Sequence, residues 1–211
     1  MKVSLLVFLL LLSSRGFGLC LPDSLESVKS FGEIAVLEVE AQRFEASVRE
    51  ILPREHDLLV QLSPLNPRTN AEVTKIENQI VIEIMGGMLN HPRMSDHAFK
   101  LLLCHEFGHV NGGPPLKSRG GWSSTEGQAD YYSGYACAKQ LGMDQASFYA
   151  GALELTSIYA EVMRQPYPRL DSCDETQVQR INFGYPSVQC RLDTLLAGWK
   201  EEPRPVCWFK E

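Results

Sequence analysis

The sequence lacks three features that would place it in common functional classes. Beyond its first dozen residues it has no run of 18 consecutive apolar residues, so we expect no stable membrane insertion after the N-terminal segment. It has no cluster of lysines and arginines, and its net charge is -6, which together argue against nucleic acid as a partner. It also has no C-x-x-C pair, which argues against a zinc knuckle built from cysteines.

The N-terminus has the pattern of a secretory signal. Lys2 precedes a short apolar run, and residues 16–18 form a small-x-small cleavage site. We therefore interpret residues 1–18 as a signal peptide, residues 19–211 as a single domain, and the protein as exported, either periplasmic or secreted. The alternative is a lipoprotein anchored at Cys20, although the residues before this cysteine match that modification poorly.

Hydrophobic periodicity predicts a mostly helical α+β chain. A short β-branched run at 80–85, followed by two glycines, predicts a strand, and residues 63–72, with two prolines and two asparagines, predict a loop. Apolar residues at intervals of three and four, together with capping residues, predict helices at about 34–51, 95–109, 123–141, 145–164 and 189–200. The expected architecture is a helical domain with a small sheet before the second of these helices.

The helix predicted at 95–109 contains the sequence HEFGH, from His105 to His109. On a helix these two histidines lie on one face, one turn apart, which suits two imidazoles binding one tetrahedral Zn²⁺ ion. Glu106 lies one step around the helix, where it can act as general base on a water molecule at the open coordination position. The alternative is a pair of core or surface histidines that bind no metal.

A third metal ligand is expected, because catalytic zinc takes three protein ligands and keeps one position open. The downstream stretch EGQAD places Glu126 and Asp130 on one face of the next predicted helix. We predict that Glu126 is the third ligand and that Asp130 accepts a hydrogen bond from a ligand histidine. The alternative for Glu126 is a capping box with Ser123 at the helix start. Small residues on this helix, such as Gly127 and Ala129, allow it to approach the first closely.

Six cysteines in an exported chain predict disulfide bonds rather than free thiols. Cys104 directly precedes the first histidine, and Cys137 follows the two carboxylates on the same predicted stripe. If both helices converge on one metal, Cys104 and Cys137 can meet in a disulfide that joins them. The pairing of the other four, Cys20, Cys173, Cys190 and Cys207, stays open.

HEFGH followed by EGQAD resembles the H-E-x-x-H…E-x-x-A-D pattern of the gluzincin metallopeptidases, particularly the HtpX-like and CAAX-prenyl-protease group. The resemblance covers about residues 80–196, and its specific motifs amount to about a dozen positions. It implies a zincin-like fold, zinc bound by His105, His109 and Glu126, and Glu106 as general base. A membrane-bound prenylated substrate is not expected, since this chain has no membrane helices of its own.

The same group has a later H-P-x-x-x-x-R-[IL] segment, which this chain matches except that Tyr185 replaces the histidine. A phenol can also donate a hydrogen bond to a developing oxyanion, so Tyr185 is a candidate for that role. The alternative is a tyrosine packed in a loop. Arg191, the arginine of this segment, pairs either with an active-site carboxylate or with the surroundings of Asp193.

These features predict an exported zinc-dependent endopeptidase that acts on peptides or proteins. The strand at 80–85 is expected to offer an edge to an extended peptide, the alternative being an ordinary core strand. Three other functions stay open: a zinc-containing binding protein without catalysis, a disulfide-stapled interaction protein without metal, and a metal-dependent hydrolase that cleaves another kind of bond.

Overall fold

The computed structural model describes residues 29–52 and 56–211, so the predicted signal peptide at 1–18 and Cys20 lie outside the described residues. The described chain has an α+β fold, as predicted, in which a small sheet and several helices share a main apolar core. The strands are β1 (Asp57–Ser63), β2 (Ala71–Ile76) and β3 (Gln79–Met85). The helices are α1 (Phe31–Val48), α2 (Gly86–Leu89), α3 (Asp96–Asn111), α4 (Glu126–Tyr132), α5 (Ala138–Gln140), α6 (Gln145–Met163) and α7 (Val188–Lys200), with a π-helical turn at Ser133–Cys137.

The sheet has the strand order β1-β3-β2, so β3 is its central strand. β3 runs parallel to β1 and antiparallel to β2. Ile80, Ile82 and Ile84 are fully buried, because alternate side chains of a strand point to the same face. The predicted strand at 80–85 is confirmed. The expectation that it offers an open edge to a peptide is wrong, because it is hydrogen-bonded to a neighbour on each side.

The two edge strands differ in what lies beside them. On the outer edge of β1, the Glu45 carboxylate of α1 accepts a hydrogen bond from the Val60 backbone N–H at 2.6 Å. At the other edge, β2 lies against α3, and its Ala71, Glu72 and Val73 line the cleft that also contains His105 and His109. The sheet edge beside the HEFGH helix therefore belongs to β2.

Capping residues set the boundaries of the helices that carry the predicted site. Ser95 caps α3 with its hydroxyl oxygen, which accepts the Ala98 backbone N–H at 3.1 Å. The next helix starts later than predicted, at Glu126, with Thr125 as its N-cap. Because Glu126 is the first helical residue and its carboxylate points to the histidines, the capping box with Ser123 is not formed. The π-helical turn after α4 also interrupts the single helix predicted at 123–141.

Glycine permits the close approach of α3 and α4. A Cβ atom on Gly108 would lie 2.7 Å from the carbonyl oxygen of Ala129, which is shorter than any ordinary contact. The predicted close approach of the two helices is therefore confirmed at Ala129. Gly127 fills a different role, because it leaves room for the ring of Trp208.

Two disulfides connect the helices to each other and to the C-terminal segment. Cys104 of α3 is bonded to Cys137 of the π-helical turn, as predicted, and Cys190 of α7 is bonded to Cys207. Cys173 is free and exposed. Disulfides of this kind indicate an oxidising compartment. Among the described residues, no helix is both long enough and apolar enough to cross a membrane.

Candidate metal centre

His105 and His109 lie one turn apart on α3, and both are almost fully buried. Their rings are 4.7 Å apart between centroids and nearly perpendicular, with an angle of 77° between the planes. The spacing of four residues places both imidazoles over the same side of the helix. The sequence prediction that the two side chains share one face is thus met by the geometry.

Contacts at the Nδ1 atoms orient both rings so that their Nε2 atoms face Glu126. His109 Nδ1 lies 2.8 Å from the carbonyl oxygen of Ser124, to which it donates. His105 Nδ1 lies 2.7 Å from Asp130 Oδ1 and 3.3 Å from Arg191 Nη2, so we assign its proton to the hydrogen bond with the closer carboxylate. An imidazole protonated on Nδ1 presents the lone pair of Nε2, which is the form that ligates metals.

Glu126 faces both histidines from the first turn of α4. Its Oε2 is 3.3 Å from His105 Nε2, and its Oε1 is 3.5 Å from His109 Nε2. A tetrahedral ion with ligand bonds of about 2.0–2.1 Å holds its donor atoms roughly 3.3 Å apart. The ligand atoms of these three residues lie within 4.8 Å of one another. The donor set therefore fits a single metal ion, with two imidazole nitrogens and a carboxylate oxygen.

The protonation of the three donors follows from burial and from their neighbours. Burial, together with the charge on His105, lowers the pKa of His109 to about 3, so this imidazole is neutral. Burial opposes a charge on His105, but Asp130 and Glu126 outweigh it and raise the pKa of His105 to about 9. Hydrogen bonding and charge from His105 likewise outweigh burial at Glu126 and hold the pKa of its carboxyl well below the usual range. A cation bound between Glu126 and the two Nε2 atoms would therefore take the place of the His105 proton.

Glu106 is buried beside the histidines but does not belong to the ligand group. It lines the same cleft, which has a volume of about 390 Å³. Burial is the main cause that raises the pKa of Glu106 to about 7, and the charge of Glu126 raises it further. A carboxylate with a pKa near neutrality suits proton transfer at neutral pH.

Comparison with protein-family models, with curated proteins and with solved structures found no match to this chain. The resemblance of its motifs to those of the gluzincins therefore stays an expectation.

Arg191 reaches the centre from α7 and pairs with Asp130. Its Nε and Nη2 donate to the two oxygens of Asp130 at 2.7 and 2.9 Å, and its guanidinium lies 4.0 Å from the ring centre of Tyr159. Asp193, the alternative partner, instead accepts from the backbone of Asp174. Asp130 is thus held between an arginine and a ligand histidine, which fixes the orientation of His105.

Tyr185 lies at the mouth of the cleft rather than packed in a loop. It lines the cleft, yet it is 67 % exposed. The negative charge of Glu126 is the main cause that raises the pKa of its hydroxyl, which therefore stays protonated at neutral pH. Its role as an oxyanion donor stays a prediction, because its exposed ring is less constrained than the buried groups of the site.

Three groups at the site were not predicted from the sequence. The Ser124 carbonyl orients His109, the ring of Tyr159 covers Arg191, and Lys117 contacts Glu126 at 2.8 Å. A backbone carbonyl has no sequence signature, and Tyr159 lies in an ordinary apolar stripe of α6. Lys117 could have been suspected from its position in the sequence, because it lies between the HEFGH and EGQAD motifs.

Proposed function

We propose that this protein is an exported, zinc-dependent endopeptidase with a zincin-like active site. The observation that carries the proposal is the convergence of His105, His109 and Glu126 at ligand distances beside the buried carboxylate of Glu106. Two imidazoles and one carboxylate form a donor set that zinc accepts, and three protein ligands with one open position are typical of catalytic rather than structural zinc sites.

Zinc in this site would supply Lewis acidity, which lowers the pKa of water to near neutrality and polarises a carbonyl group. Glu106 accepts the proton of the attacking water and later delivers it to the leaving amine, a role that its pKa near 7 supports. Asp130 holds His105 in the tautomer that presents Nε2, and Arg191 holds Asp130. Glu106 is thus the general base, and the other two residues act through the ligand histidine.

The cleft supports a peptide as the substrate. β2 forms the sheet edge beside α3, and residues 69–73 line the same cleft as Glu106 and the histidines. An extended peptide can add to such an edge through main-chain hydrogen bonds, which bind many sequences with the same geometry. We therefore assign to β2 the role that the sequence suggested for the strand at 80–85.

The test is cleavage of a mixed peptide library by the zinc-loaded, oxidised protein, beside the variant Glu106→Gln and beside a chelator control. We expect Glu106→Gln to keep the metal and to lose hydrolysis, because the amide preserves the shape of the side chain but cannot accept the proton. Glu201→Gln is the matched control, since Glu201 pairs with Lys139 on the surface and should change nothing at the site.

Each outcome separates the proposal from an alternative. Cleavage that disappears in Glu106→Gln and with chelator supports a zinc peptidase. Metal lost from Glu106→Gln would mean that this residue is a ligand rather than the base. Tight zinc binding by a wild-type protein that cleaves no peptide would favour a binding protein or another bond as the target.

A further inference from the structure

We propose that Lys117 is a catalytic residue that donates a hydrogen bond to the scissile carbonyl oxygen as negative charge develops on it. This inference rests on the proposed peptidase function and deepens it, because it names the group that stabilises the oxyanion. The sequence suggested Tyr185 for that role, but the position of Lys117 beside the ligand carboxylate makes it the stronger candidate.

The ammonium group of Lys117 lies at the metal centre itself. Its Nζ is 2.8 Å from Glu126 Oε1, the same oxygen that lies 3.5 Å from His109 Nε2. Lys117 also lines the cleft into which the three donor residues face. The ammonium group therefore borders the space that a substrate carbonyl would have to enter.

The backbone around Lys117 is tied to the helices that supply the ligands. Its N–H donates to the carbonyl oxygen of Ser123 at 2.7 Å, and the neighbouring Leu116 forms a β-bridge with Ser124. The Thr125 N–H, at the cap of α4, donates to Pro115 at 2.9 Å. The loop at 113–124 thus holds the start of the lysine side chain in a fixed place relative to α4.

Lys117 has more N–H donors available to a substrate than Arg191 has. Both cations line the cleft, but Arg191 is buried and binds both oxygens of Asp130. The side chain of Lys117 is 40 % exposed. An ammonium group has three N–H donors, so Lys117 can keep its contact with Glu126 and still donate to a substrate oxygen.

Lys117 and Glu106 line the same cleft, one as a cation and the other as the proposed general base. A cation placed before the reaction begins stabilises the developing negative charge without reorganisation, which is how such donors accelerate acyl transfer. Lys117 thereby stabilises the negative oxyanion, while Glu106 accepts the proton.

The experiment compares Lys117→Met, Lys117→Arg and the surface control Lys139→Met, with a peptide substrate that has an amidated C-terminus and no acidic side chain. Steady-state kinetics give kcat and KM for each. Zinc affinity is measured by competition with a chromophoric chelator. A phosphinic peptide, whose tetrahedral anionic group imitates the developing oxyanion, is titrated into each zinc-loaded variant as a readout that requires no turnover.

For Lys117→Met we expect kcat to fall about 10²–10³-fold, the usual effect of losing one oxyanion donor, with KM changed less than about threefold. Affinity for the phosphinic peptide should fall as well, while zinc affinity and thermal unfolding stay close to wild type. Lys117→Arg should recover part of both losses, because it restores a cationic donor. Lys139→Met should match the wild type in every measurement.

Several results would overturn the inference. An unchanged kcat would show that the ammonium does not act on the transition state. A rise in KM confined to substrates with a free C-terminal or side-chain carboxylate would mean that Lys117 binds the ground state. Weakened zinc binding would assign it to holding Glu126. If the zinc-loaded wild type cleaves nothing, the proposed function fails and this inference fails with it, whereas a wild type that cleaves beside an equally active Lys117→Met refutes the inference alone.

Discussion

The variant Asp130→Asn tests two properties of this centre, the folding stability that it contributes and its affinity for metal. Asp130 is fully buried and accepts hydrogen bonds from Arg191 Nε at 2.7 Å, from Arg191 Nη2 at 2.9 Å and from His105 Nδ1 at 2.7 Å. The amide has nearly the same shape as the carboxylate but no charge. The substitution therefore removes the closer of two carboxylates beside a buried guanidinium, since Glu126 Oε2 stays 3.9 Å from Arg191 Nη2. It also weakens the group that orients a ligand histidine.

The two effects have separate magnitudes. Breaking a buried ion pair by removing one partner typically costs about 3–5 kcal/mol of folding free energy, because the other charge stays buried. Loss of the partner that orients a ligand histidine typically weakens metal affinity about 10–100-fold. Arg191→Met should also destabilise the fold, but it should change metal affinity less, because Asp130 keeps its contact with His105.

The assay is urea unfolding in the presence of chelator, which removes the contribution of bound metal to stability, together with a separate zinc titration. The double variant Asp130→Asn/Arg191→Met should be destabilised by about 1–3 kcal/mol less than the sum of the single variants, because neither charge then stays unpaired. Its zinc affinity should stay as low as that of Asp130→Asn alone. Asp171→Asn is the matched control, since Asp171 pairs with Arg169 on the exposed surface and should change stability by less than about 1 kcal/mol.

This reasoning is refuted if Asp130→Asn unfolds at the same urea concentration as Asp171→Asn and binds zinc like the wild type. Strictly additive destabilisation in the double variant would refute the buried pair alone. A zinc affinity that recovers in the double variant would mean that Arg191, and not the orientation of His105, controls metal binding.

Two further predictions concern the contacts that bring α3 and α4 together. Replacing both Cys104 and Cys137 with alanine should lower the free energy of unfolding by about 3–4 kcal/mol and also weaken zinc binding. Opening the second disulfide should lower stability too, but with a smaller effect on zinc binding. Urea unfolding and zinc titration of the two variants test this. Gly108→Ala should destabilise the protein by about 1–3 kcal/mol and weaken zinc binding, because the new methyl group would lie 2.7 Å from the α4 backbone. Gly32→Ala in α1 is its control, because a Cβ atom there meets only a serine hydroxyl at 3.9 Å. This variant should neither lower the free energy of unfolding nor weaken zinc binding.

The parts of the fold that local chemistry specifies were predictable from the sequence. α3 and α6 begin where Ser95 and Asp144 supply N-caps, and both lie close to their predicted bounds. The spacing of the HEFGH and EGQAD motifs was enough to bring five side chains to one site, because residues four apart share a helix face. The predicted Cys104–Cys137 disulfide followed from the same convergence.

The parts that depend on tertiary pairing were not predictable. β1 reads DLLVQLS and lacks the β-branched run that marked β3, and β2 begins at Ala71, inside a stretch whose prolines and asparagines indicated a loop. The place of β3 in the middle of the sheet depends on those two strands, so its edge was assigned wrongly. The choice of Asp130 as the partner of Arg191 likewise depends on how α7 packs against α4, which no local pattern in the sequence encodes.

The positions of the cysteines suggest why the centre keeps its shape while holding so many buried charges. Cys104 directly precedes His105 in α3, and Cys190 directly precedes Arg191 in α7. Successive residues on a helix point about 100° apart, so in each case the sulfur faces a neighbouring segment while the next side chain faces the metal centre. A disulfide thus restrains each helix at the residue next to a partner of Asp130, which is His105 in α3 and Arg191 in α7. Buried charges tolerate little displacement, because a charge that loses its partner costs several kcal/mol of folding free energy. The two disulfides limit that displacement in the helices that carry the partners of Asp130.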